Sequence, residues 1–361
     1  MNKYEKSITF ILPSPKKSPV GGYKIVYEYA NRLVQRGWNV SIGYYCCNVA
    51  EKYPIPNKIK KLLIKVVSEY RRFKYPKWFK LSSKIRTFCI YSPSAKLKDS
   101  NIVATAYSTA GYVYRQDSCN KIYLIQDFEN WNGVTDDSVK KTYLYGMKNV
   151  VIAKWLKRIV DIVCGNNESI LIHNGIDFSD FKINNNIENR QEKKICMLYH
   201  LAPYKGSKYG IEALIRLKNT YPELQATLFG VSERPKDLPG WIEYIQNANS
   251  NTLCNIYNSS QIYIYPTIEE GFGLTCVEAM ACGCALCATD YRGVHEFAIA
   301  GENALLSPVK DVDGLVNNVC MLLENDQLRI NIAKKGNSYI SMFKWDEAVD
   351  KFESILLKDN Y

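Results

Sequence analysis

The sequence predicts an α/β protein built from two doubly wound domains, and three observations lead to this prediction. The chain has 361 residues, which is more than one hydrophobic core usually organises. Strand and helix patterns alternate through the first half and start again in the second half. A polar stretch with few apolar residues, 182–194, separates the halves and is typical of a linker. We therefore expect Rossmann-like domains at 1–182 and 183–342, which face each other across an interdomain cleft where ligands bind.

The first half begins with a strand, a helix and a second strand. SITFILPS is an apolar run typical of a buried strand, and Ile25, Val26, Tyr29 and Leu33 then recur at helical spacing up to Gly37. The segment WNVSIGYY follows as a strand, which completes a βαβ unit and implies a parallel sheet. Further strands are predicted at NIVATAY, KIYLIQDF and SILIHN, and a helix is predicted over VVIAKWLKRIVDIV.

The second half repeats the alternation with its own strands and helices. The predicted strands are KICMLYHL, QATLFGV, QIYIYPT, CALCATD and the shorter ENALLSPV. The predicted helices are GIEALIRLKNTY, LTCVEAMAC and DGLVNNVCMLLEN. The second half therefore also predicts a doubly wound sheet, whose ligands bind at the carboxyl ends of the strands.

Composition excludes several classes of protein. Apolar residues make up 47% of the chain and charged residues 23%, which is ordinary for a folded enzyme and excludes intrinsic disorder. The sequence contains no run of 18 uncharged apolar residues, and the apolar stretch in MNKYEKSITFILPSP is too short for a secretory signal. Twelve scattered cysteines favour a reducing compartment, so a cytoplasmic protein is expected. Cys282, Cys284 and Cys287 lack a paired ligand cluster and are not expected to bind zinc.

The positive charge is concentrated in one segment. The chain has a formal charge of +11, and residues 58–86 hold eleven Lys or Arg and one acid, Glu69. Apolar and aromatic residues, including Trp78 and Phe79, are interleaved with these cations, which favours contact with an anionic membrane surface. The alternative is a solvated helix face followed by a loop. A nucleic-acid partner is not expected, since no helix-turn-helix, zinc-finger or RNA-recognition motif accompanies the charge.

The segment YPTIEEGFGLTCVEAMACGCALCATD predicts a phosphate site. A strand ends near Pro266, a turn follows at Gly271 and Gly273, and a helix begins near Leu274. Backbone N-H groups and the dipole at a helix start attract phosphate oxygens, and glycines let a ligand approach the backbone. Glu270 and Glu278 lie on either side of this turn, where ionised carboxylates would accept hydrogen bonds from sugar hydroxyls. Taken without a wider pattern, the two residues could equally be surface carboxylates.

Four ordered motifs resemble the retaining glycosyltransferases numbered family four, which have the GT-B fold. The first motif is Glu270, seven residues and Glu278, with GFGL between them and EAMACG after them. HNGIDFSDF at 173–181 and YKGSKYGIEAL at 204–214 are similar to two further family segments. FKWDEAVDKF at 343–352 resembles the family's closing helix, so a helix at 343–361 is expected to pack on the first domain. IQDFENW and TYLYGMKNVVIAKWL also look like a bacterial subgroup that includes rhamnosyltransferases of surface polysaccharides.

The resemblance implies a role for each donor-site residue. Glu278 would bind the ribose diol, Glu270 would contact the donor sugar, and Lys205 would neutralise the diphosphate. Backbone donors would come from the glycine turn, at Gly271, Phe272, Gly273 and Leu274. Fixed cations and N-H groups would stabilise the charge on the leaving group, so no cofactor or metal is expected. His200 stands where the family usually has an Arg; it could contact phosphate or simply pack at a strand end.

The resemblance also indicates an acceptor side in the first domain. Gly21 and Gly22 resemble the family's first glycine-rich loop, although two glycines by themselves would only mark a tight turn. Asp127 or Glu129 could orient the acceptor hydroxyl, and the alternative for Asp127 is a turn-capping role. Asp311 and Asp313 form an Asp-x-Asp pair, which is interpreted as helix capping rather than as a metal site. His173 and His295 are isolated and are expected to pack.

These residues predict a metal-independent glycosyltransferase, and the family resemblance implies that it retains the configuration at the anomeric carbon. A hexosyl-type group would pass from a nucleoside diphosphate sugar to a glycan or lipid-linked glycan acceptor in cell-surface polysaccharide synthesis. The enzyme would be peripheral on the inner face of the cytoplasmic membrane. Alternatives of the same fold are a nucleotide-sugar epimerase and a glycan phosphorylase, and the missing cofactor lysine pattern disfavours the phosphorylase. A non-catalytic membrane-binding scaffold built around residues 58–86 is a further alternative.

Overall fold

The computed structural model describes residues 6–47, 57–117, 120–131 and 133–357. It divides into two compact units. The first unit comprises the chain up to Asn174 together with the residues from Asp346 onward, and the second unit is Gly175–Trp345. The predicted divisions at 182/183 and 342/343 lie inside the second unit. Ile176 donates its N-H to Phe343 O at 2.8 Å and forms a β-bridge with Lys344. These contacts join the two segments at which the chain enters and leaves the second unit.

The first unit contains a seven-stranded parallel sheet in the order β3-β2-β1-β4-β5-β6-β7. Its strands are β1 (Ser7–Leu12), β2 (Asn39–Tyr45), β3 (Arg86–Ile90), β4 (Asn101–Ala104), β5 (Asn120–Ile125), β6 (Lys148–Val151) and β7 (Ile170–Leu171). Its first five helices are α1 (Gly21–Gln35), α2 (Asn57–Lys74), α3 (Tyr107–Tyr114), α4 (Asp136–Tyr143) and α5 (Lys154–Cys164). Every residue of β1 is buried, as expected for a central parallel strand covered on both faces.

The second unit contains a six-stranded parallel sheet in the order β10-β9-β8-β11-β12-β13. Its strands are β8 (Lys194–Leu198), β9 (Gln225–Gly230), β10 (Ile242–Gln246), β11 (Ile262–Tyr265), β12 (Ala285–Thr289) and β13 (Ala304–Ser307). Its helices are α6 (Ser207–Thr220), α7 (Ser250–Ser259), α8 (Leu274–Ala281), α9 (Val312–Glu324) and α10 (Asp326–Ile340), and α11 (Trp345–Leu357) follows. The predicted strands of this half, including the short ENALLSPV, are all confirmed.

The predicted helix over VVIAKWLKRIVDIV is wrong in its first part. Val150 and Val151 belong to β6, and α5 begins only at Lys154 after Ala153 in an extended conformation. The β-branched residues of this segment pair with β5, and such residues favour strands. The predicted helix therefore spans two elements, the end of β6 and nearly all of α5.

The polar stretch 182–194 is part of the second unit rather than a free linker. Arg190 is buried, and its guanidinium donates to Tyr257 O at 3.3 Å and to Ser260 O at 2.9 Å. Asn258 Oδ1 accepts a hydrogen bond from Asn184 N at 2.7 Å. These contacts fold the polar residues against α7 and its C-terminal end, because buried carbonyls need donors that apolar side chains lack.

Helix α11 packs on the first unit. The Phe352 ring lies 6.1 Å from that of Phe10 and 4.7 Å from that of Tyr29, measured between centroids. Glu353 accepts hydrogen bonds from Trp38 Nε1 at 2.7 Å and from Arg36 at 2.9 Å. The last helix of the chain therefore completes the core that the first strand begins.

In each sheet, strands are first added on one side of the first strand and then on its other side, and the sheet changes its direction of growth at that point. In the first unit the chain moves outward from β1 to β3, returns to β4 beside β1 and continues to β7. In the second unit the same change occurs between β8 and β11. Ligands of doubly wound sheets bind at these points, outside the carboxyl ends of the strands. The segments that follow β1, β4, β8 and β11 are therefore the places to look for a site.

Candidate functional site

The turn between β11 and α8 leaves the start of α8 without a side-chain cap. Gly273 is the residue before the helix, has φ +116° and offers no capping group. A Cβ at Gly273 would lie 2.2 Å from Tyr291 Oη, so both the backbone conformation and the space require glycine. The Leu274 and Thr275 N-H groups have no acceptor earlier in the helix and lie at the positive end of its dipole. This arrangement is suited to an anion such as phosphate.

The turn is held in place from behind. Tyr291 Oη donates to Phe272 O at 3.0 Å. The Phe272 side chain is buried, and its ring contacts Phe297 and Phe343 with centroid distances of 5.5 and 5.8 Å. Phe272 therefore anchors the turn with its ring, and only its backbone can serve a ligand.

Hydrogen bonds join a second loop, which contains Tyr204, to the segment that precedes this turn. Tyr204 O accepts from Ile268 N at 2.7 Å, from Glu269 N at 3.2 Å and from Thr267 Oγ1 at 3.1 Å. Gly206 follows with φ +63°, and a Cβ there would lie 1.9 Å from Pro266 O. Glycine at this position lets the loop approach β11 closely enough to place Lys205 beside Glu270.

Lys205, Glu270 and Tyr265 form a largely buried polar cluster. Lys205 Nζ makes an ion pair with Glu270 Oε2, although 65 positions separate the two residues, and their side chains are 16% and 21% exposed. Tyr265 Oη donates to the same oxygen at 2.6 Å. Burial, followed by the Glu270 charge, raises the pKa of Tyr265 well above its ordinary value, so the phenol stays a donor. Sequence interpretation missed Tyr265 because the last residue of an apolar strand looks like core.

His200 lies just after the end of β8, beside this cluster. Its Nδ1 accepts a hydrogen bond from Ala202 N at 2.9 Å, and its backbone N-H donates to Ser207 Oγ at 2.9 Å. Burial and then Lys205 lower the pKa of His200, and Glu270 partly opposes them. The ring is therefore neutral at pH 7 with its proton on Nε2, where it can donate one hydrogen bond but is not the fixed cation that an Arg would be.

Glu278 lies on α8 itself, in the second turn of the helix. Its side chain is buried, and its charge contributes to the raised pKa of Tyr257. The same short helix thus carries the orphan N-H groups at its start and a carboxylate one turn later. Glu270 precedes these N-H groups, so the structure brings Lys205, Glu270, His200 and the start of α8 together in the second unit.

The predicted acceptor-side residues lie together in the first unit. Gly21 and Gly22 are the first residues of α1, and a Cβ at Gly22 would lie 3.2 Å from Gln126 Nε2. Asp127 Oδ1 accepts from Phe128 N at 2.8 Å, a contact with the next residue of the chain. Glu129 Oε1 accepts from Tyr107 N at 2.9 Å, at the start of α3.

The remaining candidates have local roles. Asp311 Oδ1 accepts from Gly314 N at 2.9 Å, which confirms it as the cap of α9. Asp313 instead pairs with Arg216, so the capping interpretation is wrong for this residue. His295 Nε2 lies 2.7 Å from Asp290 Oδ1. Cys284 Sγ donates to Tyr257 O at 3.1 Å, and within the described ranges no group of three or more His, Cys, Asp or Glu could hold a metal ion.

The basic segment divides into a helix, a loop and a strand. Helix α2 exposes a continuous apolar face made of Ile59, Leu62, Leu63, Val66, Val67, Tyr70 and Phe73. Its opposite face contacts β3 and its surroundings: Arg72 donates to Thr87 O at 3.0 Å, and Glu69 Oε1 accepts from Tyr91 Oη at 2.9 Å. In the part of the chain that the structure describes, no helix is long and apolar enough to cross a membrane.

Trp78 and Phe79 correct part of the prediction for this segment. Their rings lie 5.7 and 5.3 Å from that of Tyr27 on α1, measured between centroids. They are therefore packed on the first unit and do not belong to the exposed apolar face. That face, which we call the α2 apolar face, is limited to residues 59–73.

Comparison with known proteins identifies a family model that matches part of the chain and several curated relatives. The family model described as glycosyl transferases group 1 matches residues 178–339. A phosphatidyl-myo-inositol mannosyltransferase of Mycolicibacterium smegmatis is 25% identical over 189 residues, which is 50% of this chain and 49% of the relative. An O-antigen chain mannosyltransferase B of Escherichia coli is 28% identical over 107 residues, 30% of this chain and 28% of the relative. The chain thus spans half or less of the length of these curated relatives.

Solved structures match the whole fold. Sucrose-phosphate synthase of Thermosynechococcus elongatus aligns with a TM-score of 0.75 at 16% identity, over 98% of both chains. HepE of Anabaena, in complex with UDP and glucose, aligns with a TM-score of 0.73 at 15% identity, over 98% of this chain and 100% of HepE. The predicted α/β class and the family resemblance are confirmed. Residues 178–339 are therefore similar to the glycosyl transferases group 1, and the fold of the chain is GT-B.

Proposed function

We propose that this protein transfers a hexosyl-type sugar from a nucleoside diphosphate sugar to a membrane-associated glycan acceptor in cell-surface polysaccharide synthesis. One observation carries the proposal: Lys205 and Glu270 meet beside the uncapped start of α8, and Glu278 lies on the same helix. The mannosyltransferase relatives and the UDP and glucose bound by HepE support a nucleotide-sugar donor.

The proposed donor complex assigns one contact to each group. The diphosphate lies at the start of α8, where the backbone N-H groups of the turn and Lys205 offset its charge. Glu278 accepts hydrogen bonds from the ribose diol, and Glu270 contacts the donor sugar. His200 donates from Nε2 to a phosphate oxygen as a neutral group. Cleavage of the bond between the anomeric carbon and phosphate leaves negative charge on the diphosphate, which these donors stabilise.

The proposed transfer retains the configuration at the anomeric carbon, as the family resemblance implies. The acceptor hydroxyl forms the new bond on the face that the diphosphate leaves, and its proton passes to the departing phosphate oxygen. On the acceptor side, the segment with Asp127 and Glu129 and the Gly21-Gly22 helix start would hold the hydroxyl. Proton NMR of the product tests retention, because the coupling of the anomeric proton distinguishes the two configurations.

A ligand screen and calorimetry test the donor site. Ligands that bind only the folded state raise the apparent unfolding temperature, so UDP, GDP, dTDP and their hexoses are compared by thermal shift. The best nucleoside diphosphate is then titrated into wild-type protein and the Glu278→Gln variant. Equal affinity for the two proteins would contradict the role of Glu278.

The proposed chemistry requires no metal or cofactor, since Lys205 and the helix start supply the positive charge. Transfer measured in EDTA should therefore equal transfer measured with added magnesium or manganese. Loss of activity in EDTA, with recovery on adding one of these ions, would contradict metal independence.

We further propose that the α2 apolar face binds an anionic membrane surface from the cytoplasmic side. Phe73 and Leu62 are 79% and 65% exposed on this face, and Lys65, Arg71 and Lys74 lie on the same helix. The single acid of the segment, Glu69, pairs with Arg72 and is turned toward Tyr91, so the helix surface keeps its positive charge. An amphipathic cationic helix of this kind can lie in the headgroup region, and each basic residue contributes about 1 kcal/mol near anionic lipid.

Vesicle co-sedimentation tests the membrane contact. Wild-type protein should sediment with vesicles containing phosphatidylglycerol, less with pure phosphatidylcholine vesicles, and less at high salt because the charges are screened. Leu62→Ser, Val66→Ser and Phe73→Ser together should abolish sedimentation. The matched control, Ile162→Ser with Met321→Ser, also removes exposed apolar side chains but should sediment as wild type does. Equal sedimentation of both variants would contradict the assignment of the α2 apolar face.

Two other functions are separated by the same assays. An epimerase would convert the donor sugar in the absence of any acceptor, which NMR of the nucleotide sugar detects. A non-catalytic scaffold would bind vesicles but neither bind, hydrolyse nor transfer any donor of the panel. The Lys205 and Glu270 ion pair favours the transferase, because a scaffold has no use for a largely buried cation beside a helix start.

A further inference from the structure

Glu129 occupies the ligand-binding end of the first sheet. It follows β5 by four residues, and its Oε1 accepts from Tyr107 N at 2.9 Å, the first residue of α3 after β4. Strand β4 adjoins β1 at the point where the sheet changes its direction of growth. Gly22 at the start of α1 lies against Gln126 in the same segment. The carboxyl group is thus fixed where doubly wound sheets bind ligands.

The surroundings of Glu129 are tyrosines and one carboxylate. The groups that interact with it electrostatically come from α1, α3, β5, α4 and its own loop: Tyr23, Tyr107, Tyr123, Tyr143 and Asp127. Burial and the Asp127 charge raise the pKa of Glu129 to about 7, although the Tyr107 N-H bond opposes the shift. The group therefore changes its charge close to neutral pH.

Asp127 is less suited to hold a substrate hydroxyl. Its Oδ1 accepts from the N-H of the next residue, Phe128, which fixes the side chain to its own turn. Glu129 is instead held through Oε1 by the N-H of Tyr107, 22 positions away at the start of α3, so its other oxygen is fixed relative to a second element at the ligand-binding end of the sheet. Both residues were candidates from the sequence, and the hydrogen bonds separate them.

We propose that Glu129, rather than Asp127, accepts the hydrogen bond from the acceptor hydroxyl that receives the sugar. This inference rests on the proposed glycosyl transfer and adds the residue that orients its second substrate. Tyr107 N-H and the start of α3 hold Oε1, and the acceptor hydroxyl donates to Oε2. The ionised carboxylate is the better acceptor, so acceptor binding should strengthen as pH rises through about 7. Glu129 orients the hydroxyl without keeping its proton, which leaves with the departing phosphate.

Kinetics with matched variants test this assignment. The probes are octyl glycosides of common hexoses as acceptors, with the donor that wild-type protein uses best. Glu129→Gln keeps an oxygen for Tyr107 N-H but cannot ionise. It should raise KM for the acceptor at least about tenfold and remove the rise in kcat/KM between pH 6 and 8. Asp127→Asn should keep an acceptor KM within about threefold of wild type, and the rise in kcat/KM should move to lower pH, because loss of the Asp127 charge lowers the pKa of Glu129.

Separate measurements distinguish a failure of the role of Glu129 from a failure of the proposed glycosyl transfer. Donor affinity and slow donor hydrolysis should be unchanged in Glu129→Gln, since both depend on the second unit. Carbon NMR of glutamate carboxyl groups should show one resonance that titrates near pH 7, shifts on adding octyl glycoside and is missing from the variant. A variant with wild-type acceptor KM and pH profile, or a resonance that the glycoside leaves unmoved, would overturn the role of Glu129. Failure of wild-type protein to bind or use any donor would instead overturn the glycosyl transfer itself.

Discussion

At the residue scale, Glu270 contacts the ammonium of Lys205 and the hydroxyl of Tyr265. A buried ion pair is costly to desolvate, and removal of one partner leaves the other charge uncompensated. A diphosphate at the start of α8 would offer Lys205 a second anion. Under the proposed function, the pair would hold the cation in position, so that little reorganisation is needed when charge develops on the leaving group.

The two glutamates of the donor site should respond differently to substitution. Glu278→Gln should weaken nucleoside diphosphate binding at least about tenfold, because the ribose diol loses an ionised acceptor. Glu270→Gln should keep nucleoside diphosphate affinity within about threefold, since that ligand carries no sugar for Glu270 to contact, yet it should lower the transfer rate. Calorimetry and initial rates measure the two effects. An equal loss of nucleotide affinity in both variants would contradict the separate roles.

Lys205 should matter most in the transition state. Lys205→Met removes the fixed cation and should lower kcat about 100-fold, which corresponds to about 2.7 kcal/mol. Lys205→Arg keeps the charge and should recover part of this loss. Lys208→Met is the control, because Lys208 is exposed on α6 and lies over the Tyr209 ring. If the control lost as much activity as Lys205→Met, a specific contact of Lys205 would be excluded.

At the element scale, the start of α8 depends on the loop that precedes it. The start of α8 has no side-chain cap. The hydrogen bond from Tyr291 Oη to Phe272 O and the buried Phe272 ring fix the position of the turn. A helix start that is uncapped in this way is less stable than a capped one, and an anion can satisfy its N-H groups instead. Under the proposed function, the diphosphate would accept hydrogen bonds from these N-H groups.

Gly273→Ala should damage both stability and donor binding. Its φ of +116° is unfavourable for alanine, and the new methyl group would meet Tyr291 Oη. We expect a loss of about 1–3 kcal/mol in the free energy of unfolding, measured by urea denaturation, and weaker binding of nucleoside diphosphate. Gly240→Ala is the matched control, because its Cβ would have no neighbour within 4 Å among the described residues. Similar losses in both variants would exclude a special role for the turn.

At the scale of the whole molecule, the chain ends by completing the unit in which it starts. Helix α11 supplies Phe352 to the core beside Phe10, and its Glu353 joins Arg36 and Trp38. Burial by itself would raise the pKa of Glu353, but hydrogen bonds from Trp38 and Arg36 lower it below its ordinary value. A carboxylate with a lowered pKa in the folded state stabilises that state when it is ionised.

Glu353 should make the stability of the folded state depend on pH, with less stabilisation as the pH falls. The stabilisation from Glu353 is fully present above the unfolded pKa of about 4.5 and is lost as pH falls through the lower folded value. Glu353→Gln should therefore cost about 1–2 kcal/mol at pH 7, measured by urea denaturation of the first unit's transition. The difference from wild type should shrink as the pH falls below about 4.5. A difference that stays constant down to pH 3 would show that ionisation of Glu353 does not contribute.

Much of the fold could be predicted because apolar periodicity reports burial directly. Continuous apolar runs such as SITFILPS and QIYIYPT became central strands β1 and β11, which are covered on both faces. Elements with mixed composition were missed: β3 lies in the basic segment, and β10 has buried and exposed residues in no simple alternation. The same ambiguity merged β6 with α5, since a short run of Val and Ile has no helical or strand period of its own.

The sequence by itself determined the α/β class, the repeated architecture and the Gly271–Leu274 turn, because strand burial, glycine placement and helix starts depend on residues close together in the chain. Only the tertiary structure decided which side chains meet. The backbone bonds of Tyr204 bring Lys205 to Glu270, and Tyr265 donates to the same carboxylate. Trp78 and Phe79 pack on Tyr27. Glu129 and Asp127 accept hydrogen bonds from different parts of the first unit. The physical reason is that a hydrogen bond or ring contact depends on distance in space, which sequence separation does not encode until the strands are in register.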